Sequence, residues 1–215
     1  MKSKTYAVFG LGRYGRAVAK ELVDNGKEVI AVDSNQSIVN DAAAYLPVCK
    51  CADVTDPEVI ERLGIAEIDT AIICMAGDLE AGVMAVTLCK EAGVKTVIAK
   101  CSSEMQEKIL LRIGADRVVF PENESGIRLA KNLLSSGFID MISLSKDVSM
   151  IEIDVREEWV GKNLIELNLR KKYGFNIVAI KKGENVNVDI NPEQKLDRET
   201  TLIVIANTAK LEKFK

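Results

Sequence analysis

Histidine is absent from all 215 residues. The commonest general base of hydrolases and hydride-transfer enzymes is therefore missing, as is any imidazole switch near neutral pH. No apolar run reaches the roughly 18 residues that cross a bilayer. The apolar stretch near Thr5 is too short for a signal peptide and lacks a small-residue cleavage site. The expectation is a cytosolic chain that meets a membrane only through a partner, not by inserting. A net charge of −3 leaves no basic footprint, so nucleic acid is not an expected partner. The five cysteines (Cys49, Cys51, Cys74, Cys89, Cys101) form no C-x-x-C pair. Cys49 and Cys51 would share one strand face, open either to a metal or redox role or to the role of small buried hydrophobes. Low-complexity segments and internal repeats are also missing.

What is present is an alternation of strand and helix patterns over the first 120 residues. Residues 5–9 read as a strand, followed by Gly10-Leu11-Gly12-Arg13-Tyr14-Gly15 and a helical stretch over 16–23. Strand, glycine turn and helix in that order give a G-x-G-x-x-G match its meaning. Gly10 permits the turn, Gly12 lets the backbone approach a pyrophosphate, and Gly15 lets the helix pack close. The helix N-terminus then offers N–H groups to phosphate. Further strands are expected at 27–33, 47–51, 70–75, 95–99 and 117–120, with helices at 35–45, 57–63, 78–92 and 103–113 between them. Asp56-Pro57 starts one helix and Gly64, Gly93 and Gly114 stop three. Six strands separated by helices predict a doubly wound parallel Rossmann sheet in the order 3-2-1-4-5-6.

A helix over 124–134 carries Ile127, Ala130 and Leu134 at helical spacing. Residues 138–146 then read as a connector rich in apolar side chains (Phe138, Ile139, Met141, Ile142, Leu144), which either pack back on the first domain or meet another subunit. The period then changes. A strand at 150–155, a helix within 159–172, a hairpin of 176–181 with 185–190, a strand at 201–206 and a terminal helical turn at 209–214 predict a smaller α+β module. A module of this size buries little core alone, so pairing with a copy of itself is expected.

Asp33 ends the second strand 21 residues beyond Gly12, where a carboxylate takes the hydroxyls of an adenosine ribose, a contact worth ~1.5–3 kcal/mol. Its other role would be to cap the next helix. Arg13 stands beside the expected phosphates, though exposed loops carry arginines for solubility alone. Lys100 ends the fifth strand on the same carboxyl edge. Glu122 follows the sixth strand; an acid near phosphates hints at a divalent cation, or else it favours the N-terminus of the following helix. Asp53 follows the third strand and could reach an adenine amino group.

The glycine turn, Asp33, Ala52-Asp53-Val54-Thr55-Asp56, the run from Ile113 to Glu122 and Arg170-Lys171-Lys172-Tyr173-Gly174 together resemble the RCK regulatory subunits of bacterial Trk and Ktr potassium transporters, closest to the Ktr type. The resemblance covers essentially the whole chain. It implies a nucleotide-binding N-lobe over 1–134, a crossover over 135–147 and a regulatory C-lobe over 148–215. It further implies ATP or ADP in the N-lobe, or NAD(H) as in Trk-type members. Arg13 would touch terminal phosphates across a subunit boundary, Asp33 the ribose, Asp53 the adenine and Glu122 a divalent cation, magnesium or calcium. Tyr14, Ser34, Val54, Ala76, Gly77, Asp78 and Lys100 complete the implied nucleotide set. Cyclic di-AMP would meet Leu164, Ile165, Arg170, Asn176, Ile177 and Pro192. The implied assembly is a homodimer building an octameric ring, peripheral at the inner face of the membrane beneath a potassium-translocating subunit. Two positions depart from the pattern: Ala52 stands where many members have glycine, and Asp78, where several Ktr members have asparagine, adds negative charge near the phosphates.

The competing class is an NAD-dependent oxidoreductase. That chemistry needs a proton relay and a substrate domain. The chain has no histidine, no S-x(n)-Y-x-x-x-K arrangement and only a small second module. A regulator without chemistry of its own is the expected function.

Overall fold

The computed structural model describes residues 4–134, 141–212 and 214. Its contacts divide the chain into two units, residues 1–122 and 123–215.

The first unit is a parallel sheet of six strands: β1 (Thr5–Phe9), β2 (Glu28–Asp33), β3 (Cys49–Cys51), β4 (Thr70–Ile73), β5 (Thr96–Lys100) and β6 (Arg117–Val119), in the order β3-β2-β1-β4-β5-β6. This is the expected Rossmann topology. In the central register Phe9 lies beside both Val32 and Ile73. Adjacent residues face opposite layers, because a strand's side chains alternate. Ala7, Phe9, Val32, Ala71 and Ile73 pack into one core, while Val8, Ala31 and Ile72 pack into another on the reverse face. Every residue of β4 is buried, as suits a continuous apolar strand covered on both sides.

The intervening helices are α1 (Arg13–Asp24), α2 (Gln36–Ala42), α3 (Pro57–Arg62), α4 (Leu79–Glu91) and α5 (Glu104–Arg112). Side chains of Asn35, Asp56, Asp78 and Ser103 cap α2 to α5 in turn, satisfying N–H groups that would otherwise lack partners. α1 alone of these five begins on a glycine, Gly12, with no side-chain cap. It starts at Arg13 rather than 16, so the second half of the glycine motif is already helical. A 3-10 turn at Ile65–Glu67, which no periodicity announced, carries the buried Ile65 into the first core.

α6 (Pro121–Leu134) starts three residues earlier than the spacing suggested, with proline at its first position. Its apolar residues Ile127, Leu129 and Leu133 are 50%, 59% and 78% exposed. Ala130, at helical spacing with Ile127, is exposed as well.

The second unit is an antiparallel sheet of β7 (Met141–Ser143), β8 (Val148–Asp154), β9 (Asn176–Lys182), β10 (Asn185–Asn187) and β11 (Thr200–Asn207), in the order β10-β9-β11-β8-β7. Part of the expected connector is therefore an edge strand: Ile142 lies opposite Met150 in β8. Phe138 and Ile139 lie outside the described residues. The helix expected within 159–172 is broken into α7 (Leu164–Leu167) and α8 (Leu169–Tyr173). Asn168 sits between them at φ 47°, a left-handed conformation that ends a helix and that asparagine tolerates better than most residues. β10 ends at Asn187, short of the expected 190. α9 (Thr208–Glu212) closes the chain's regular structure. The core gathers Ile151, Ile153, Leu202 and Val204 under an aromatic group in which Phe214 meets Phe175 and Tyr173 edge-on at 4.6 and 4.7 Å.

Candidate functional site

The carboxyl ends of β1, β2 and β4 converge on the glycine turn. Gly10 N donates to Val32 O at 2.8 Å and Cys74 N to Phe9 O at 2.7 Å, which extends the sheet to the edge of the turn. Gly10 then adopts φ 86°, and a Cβ there would stand 2.9 Å from Met75 Cγ. Gly15 has a different reason: its Cβ would lie 1.9 Å from Gly10 O, so α1 can approach β1 only without one. At Gly12 a Cβ would meet nothing within 4 Å. The three glycines thus divide into a turn, a close approach, and an opening.

Asp33 holds the turn in place. Its Oδ2 accepts from Leu11 N at 2.7 Å and its Oδ1 from Asn35 N at 2.8 Å. Each carboxylate oxygen has a second lone pair, so the half-buried side chain can still accept from a ribose. Asp53 Oδ1 accepts from Thr55 N at 2.9 Å and Thr55 Oγ1 at 2.7 Å; these two bonds lower its pKa.

A cleft of about 640 Å³ opens here, within the size range of cofactor sites. Of the expected nucleotide residues, Gly10, Gly12, Asp33, Ser34, Asp53, Val54, Gly77 and Asp78 line it. Gly15 lies beneath the turn, and Ala76 is buried with its carbonyl accepting from Ser102 Oγ at 3.2 Å. Arg13 is exposed at the start of α1. Tyr14, Lys100 and Glu122 form a separate group beside the cleft. Lys100 Nζ lies 5.7 Å from the centre of the Tyr14 ring and 2.5 Å from Glu122 Oε1. The hydrogen bond from Lys100 draws the Glu122 carboxyl below its ordinary range. Glu122, expected to meet a divalent cation, meets a lysine. Among the described residues no three acidic, cysteine or histidine side chains are grouped to hold a metal.

Sequence reasoning missed several lining residues. Thr55 fixes Asp53, and its place two residues after an aspartate is a turn signal that would have found it. Glu80 and Met84 share a face of α4 at i, i+4 spacing, but only the fold turns that face to the cleft.

In the second unit, a cleft of about 440 Å³ is lined by Leu164, Ile165, Arg170, Asn176 and Ile177, with Asn168, Leu169 and Phe175. Five of the six residues expected for cyclic di-AMP are therefore together. Pro192 is outside the lining but anchors it, its carbonyl accepting from Leu164 N at 3.1 Å.

Residues 6–121 match the TrkA-N domain and residues 148–215 the TrkA-C domain. Ktr system potassium uptake protein C of Bacillus subtilis is 36% identical over 98% of this chain and 96% of its own length. Ktr system potassium uptake protein A of Vibrio alginolyticus is 34% identical over 97% and 94%. Among solved structures, the GsuK channel bound to NAD is similar in fold, with a TM-score of 0.65 at 16% identity; the match covers 98% of this chain and 38% of that channel chain. Two matched domains in the right order, on a Rossmann sheet and an antiparallel second sheet, lead to one conclusion: the chain belongs to the Ktr regulatory-subunit family of potassium uptake proteins, with TrkA-N and TrkA-C domains.

Proposed function

We propose that the chain senses ATP against ADP in the glycine-turn cleft and thereby gates a membrane potassium-translocating partner. The observation that carries this reading is the uncapped start of α1 at Gly12, open to a ligand and latched to Asp33 through Leu11 N. An uncapped helix N-terminus beside a ribose-binding carboxylate suits an adenosine polyphosphate. A nucleotide shifts the protein between states only by as much as it binds one state better. The extra phosphate of ATP, read by Arg13, supplies that difference.

In this reading residues 1–134 act as the nucleotide lobe, 135–147 as the crossover and 148–215 as the lobe that takes cyclic di-AMP beside Arg170. The assembly is a homodimer building an octameric ring, peripheral on the cytoplasmic face of the membrane. The chain is a regulator and not an enzyme: it carries no histidine for a proton relay. NAD(H) is the second reading of the cleft. It is favoured by the carboxylates of Asp33, Asp53, Asp78 and Glu80 in the lining, which repel a triphosphate more than a dinucleotide. Calorimetry of the full chain with ATP, ADP and NAD tests both. Arg13→Ala should narrow the ATP/ADP affinity gap and leave NAD unchanged; an undiminished gap would remove Arg13 from the mechanism.

A further inference from the structure

The second unit holds another cavity, of about 190 Å³, which neither nucleotide reading uses. A 3-10 turn, Glu157–Trp159, and the residues just after it bring Glu158 and Lys162 to this cavity, and α8 brings Lys172. Its walls are Trp159, Leu167, Leu169 and Tyr173. Trp159, Leu167 and Leu169 are buried in the core of the unit, which fixes the walls in place. The turn is fixed as well. Gly161 N donates to Leu196 O at 2.8 Å and Leu196 N to Lys162 O at 2.9 Å. Trp159 then packs against Tyr173 with ring centres 6.4 Å apart, which ties the turn to α8. The two elements that carry the charges are thus held at a set separation.

Size and charge narrow the ligand. The volume is below the ~300–1,000 Å³ of cofactor and drug-sized sites, which points to a small metabolite rather than a nucleotide. The lining carries two ammonium groups and one carboxylate. Among the described residues none of the three forms a salt bridge within the chain. A phosphate or a plain dicarboxylate satisfies the lysines but sets its own charge against Glu158, and a plain amine does the reverse. A molecule with two carboxylates and one ammonium complements all three groups, and its short aliphatic stem suits the apolar walls. We propose that this cavity binds an acidic amino acid, with its carboxylates on Lys162 and Lys172 and its ammonium on Glu158. The proposal does not rest on what the glycine-turn cleft or the larger cleft of the second unit binds.

Trp159 is the chain's single tryptophan, so its fluorescence reports on this cavity. The test titrates the full chain at low salt with L-glutamate and L-aspartate. Glutarate and succinate, the same chains without the ammonium group, and inorganic phosphate serve as comparisons. At least one amino acid should change the emission saturably at millimolar concentration. It should bind about two- to fivefold tighter than its dicarboxylate counterpart, the range of one exposed ion pair. Glu158→Gln should abolish that preference, and Lys172→Gln should weaken the amino acid by about the same factor, with the circular dichroism of both variants intact. No saturable response to either amino acid, an equal affinity for the dicarboxylate, or a preference that survives Glu158→Gln would overturn the proposal. Phosphate bound as tightly as the amino acid would assign the lysines to a simple anion and overturn it too.

Discussion

Gly12 and Gly15 are three residues apart and fail in different ways when changed. A methyl at Gly15 would drive into Gly10 O at 1.9 Å, and neither backbone can yield without separating α1 from β1. Gly15→Ala should therefore destabilise the first unit by about 3 kcal/mol, the upper end of overpacking, and lower the thermal midpoint. A methyl at Gly12 meets nothing, and its backbone angles are open to any residue. Gly12→Ala should keep the wild-type midpoint and lose nucleotide affinity. Thermal melts with and without ATP separate the two, and a matching loss of stability in both would show that Gly12 is structural. Asp33 also has a structural duty that the sequence did not reveal. The expected ribose carboxylate is at the same time the acceptor that fixes the turn, because the end of β2 brings it 2.7 Å from Leu11 N.

Among the elements, the first unit was legible almost throughout. Helices α2 to α5 carry side-chain caps, α3 to α5 stop near glycines, and the central strands are apolar runs whose length distinguishes them from helices. The second unit was less so. Residues 159–172 have helical spacing, yet Asn168 turns left-handed and divides α7 from α8. The capping box of Asn163 and Glu166 starts α7 firmly, with both reciprocal bonds at 2.9 to 3.0 Å, but no local signal tells that asparagine 168 will break it. That break directs Leu167 and Leu169 into the core, each 3% exposed. Asn168→Ala should cost about 1 kcal/mol for the left-handed backbone, and Asn168→Gly should cost less. Urea midpoints check the order; alanine equal to or better than glycine would mean that the side chain, not the backbone angle, matters. β7 was hidden for a related reason: an edge strand of three residues earns its identity only from its partner β8.

At the scale of the molecule, two behaviours follow. Asp69 is held at about 2, against an ordinary 3.8, by its hydrogen bond from Lys95 and by Thr5 N. A carboxyl depressed by folding contributes stability above its unfolded pKa and loses it as pH falls through the folded value. Asp116 and Asp197 are shifted in the same direction. Stability should fall between about pH 4 and 2, and Asp69→Asn should flatten that decline in a urea titration. A decline of unchanged steepness would place the sensitivity elsewhere. The second behaviour is assembly. Ile127, Leu129 and Leu133 expose apolar surface along α6. Exposed patches of this kind mark contacts. The double variant Leu129→Glu and Leu133→Glu should reduce the mass seen by light scattering to that of one chain, with its circular dichroism intact. An unchanged mass would assign assembly to another face.

The sequence by itself determined the Rossmann sheet, its strand order and the glycine turn, because apolar periodicity, caps and left-handed glycines act over a few residues. Tertiary structure alone decided which of the expected site residues meet. Chain separations of 22 residues bring Leu11 to Asp33 and Lys100 to Glu122. Such pairings depend on where parallel strands end in space, and no local propensity encodes that. Hence the pairing of Glu122 with Lys100 could not be read from either residue's place in the chain.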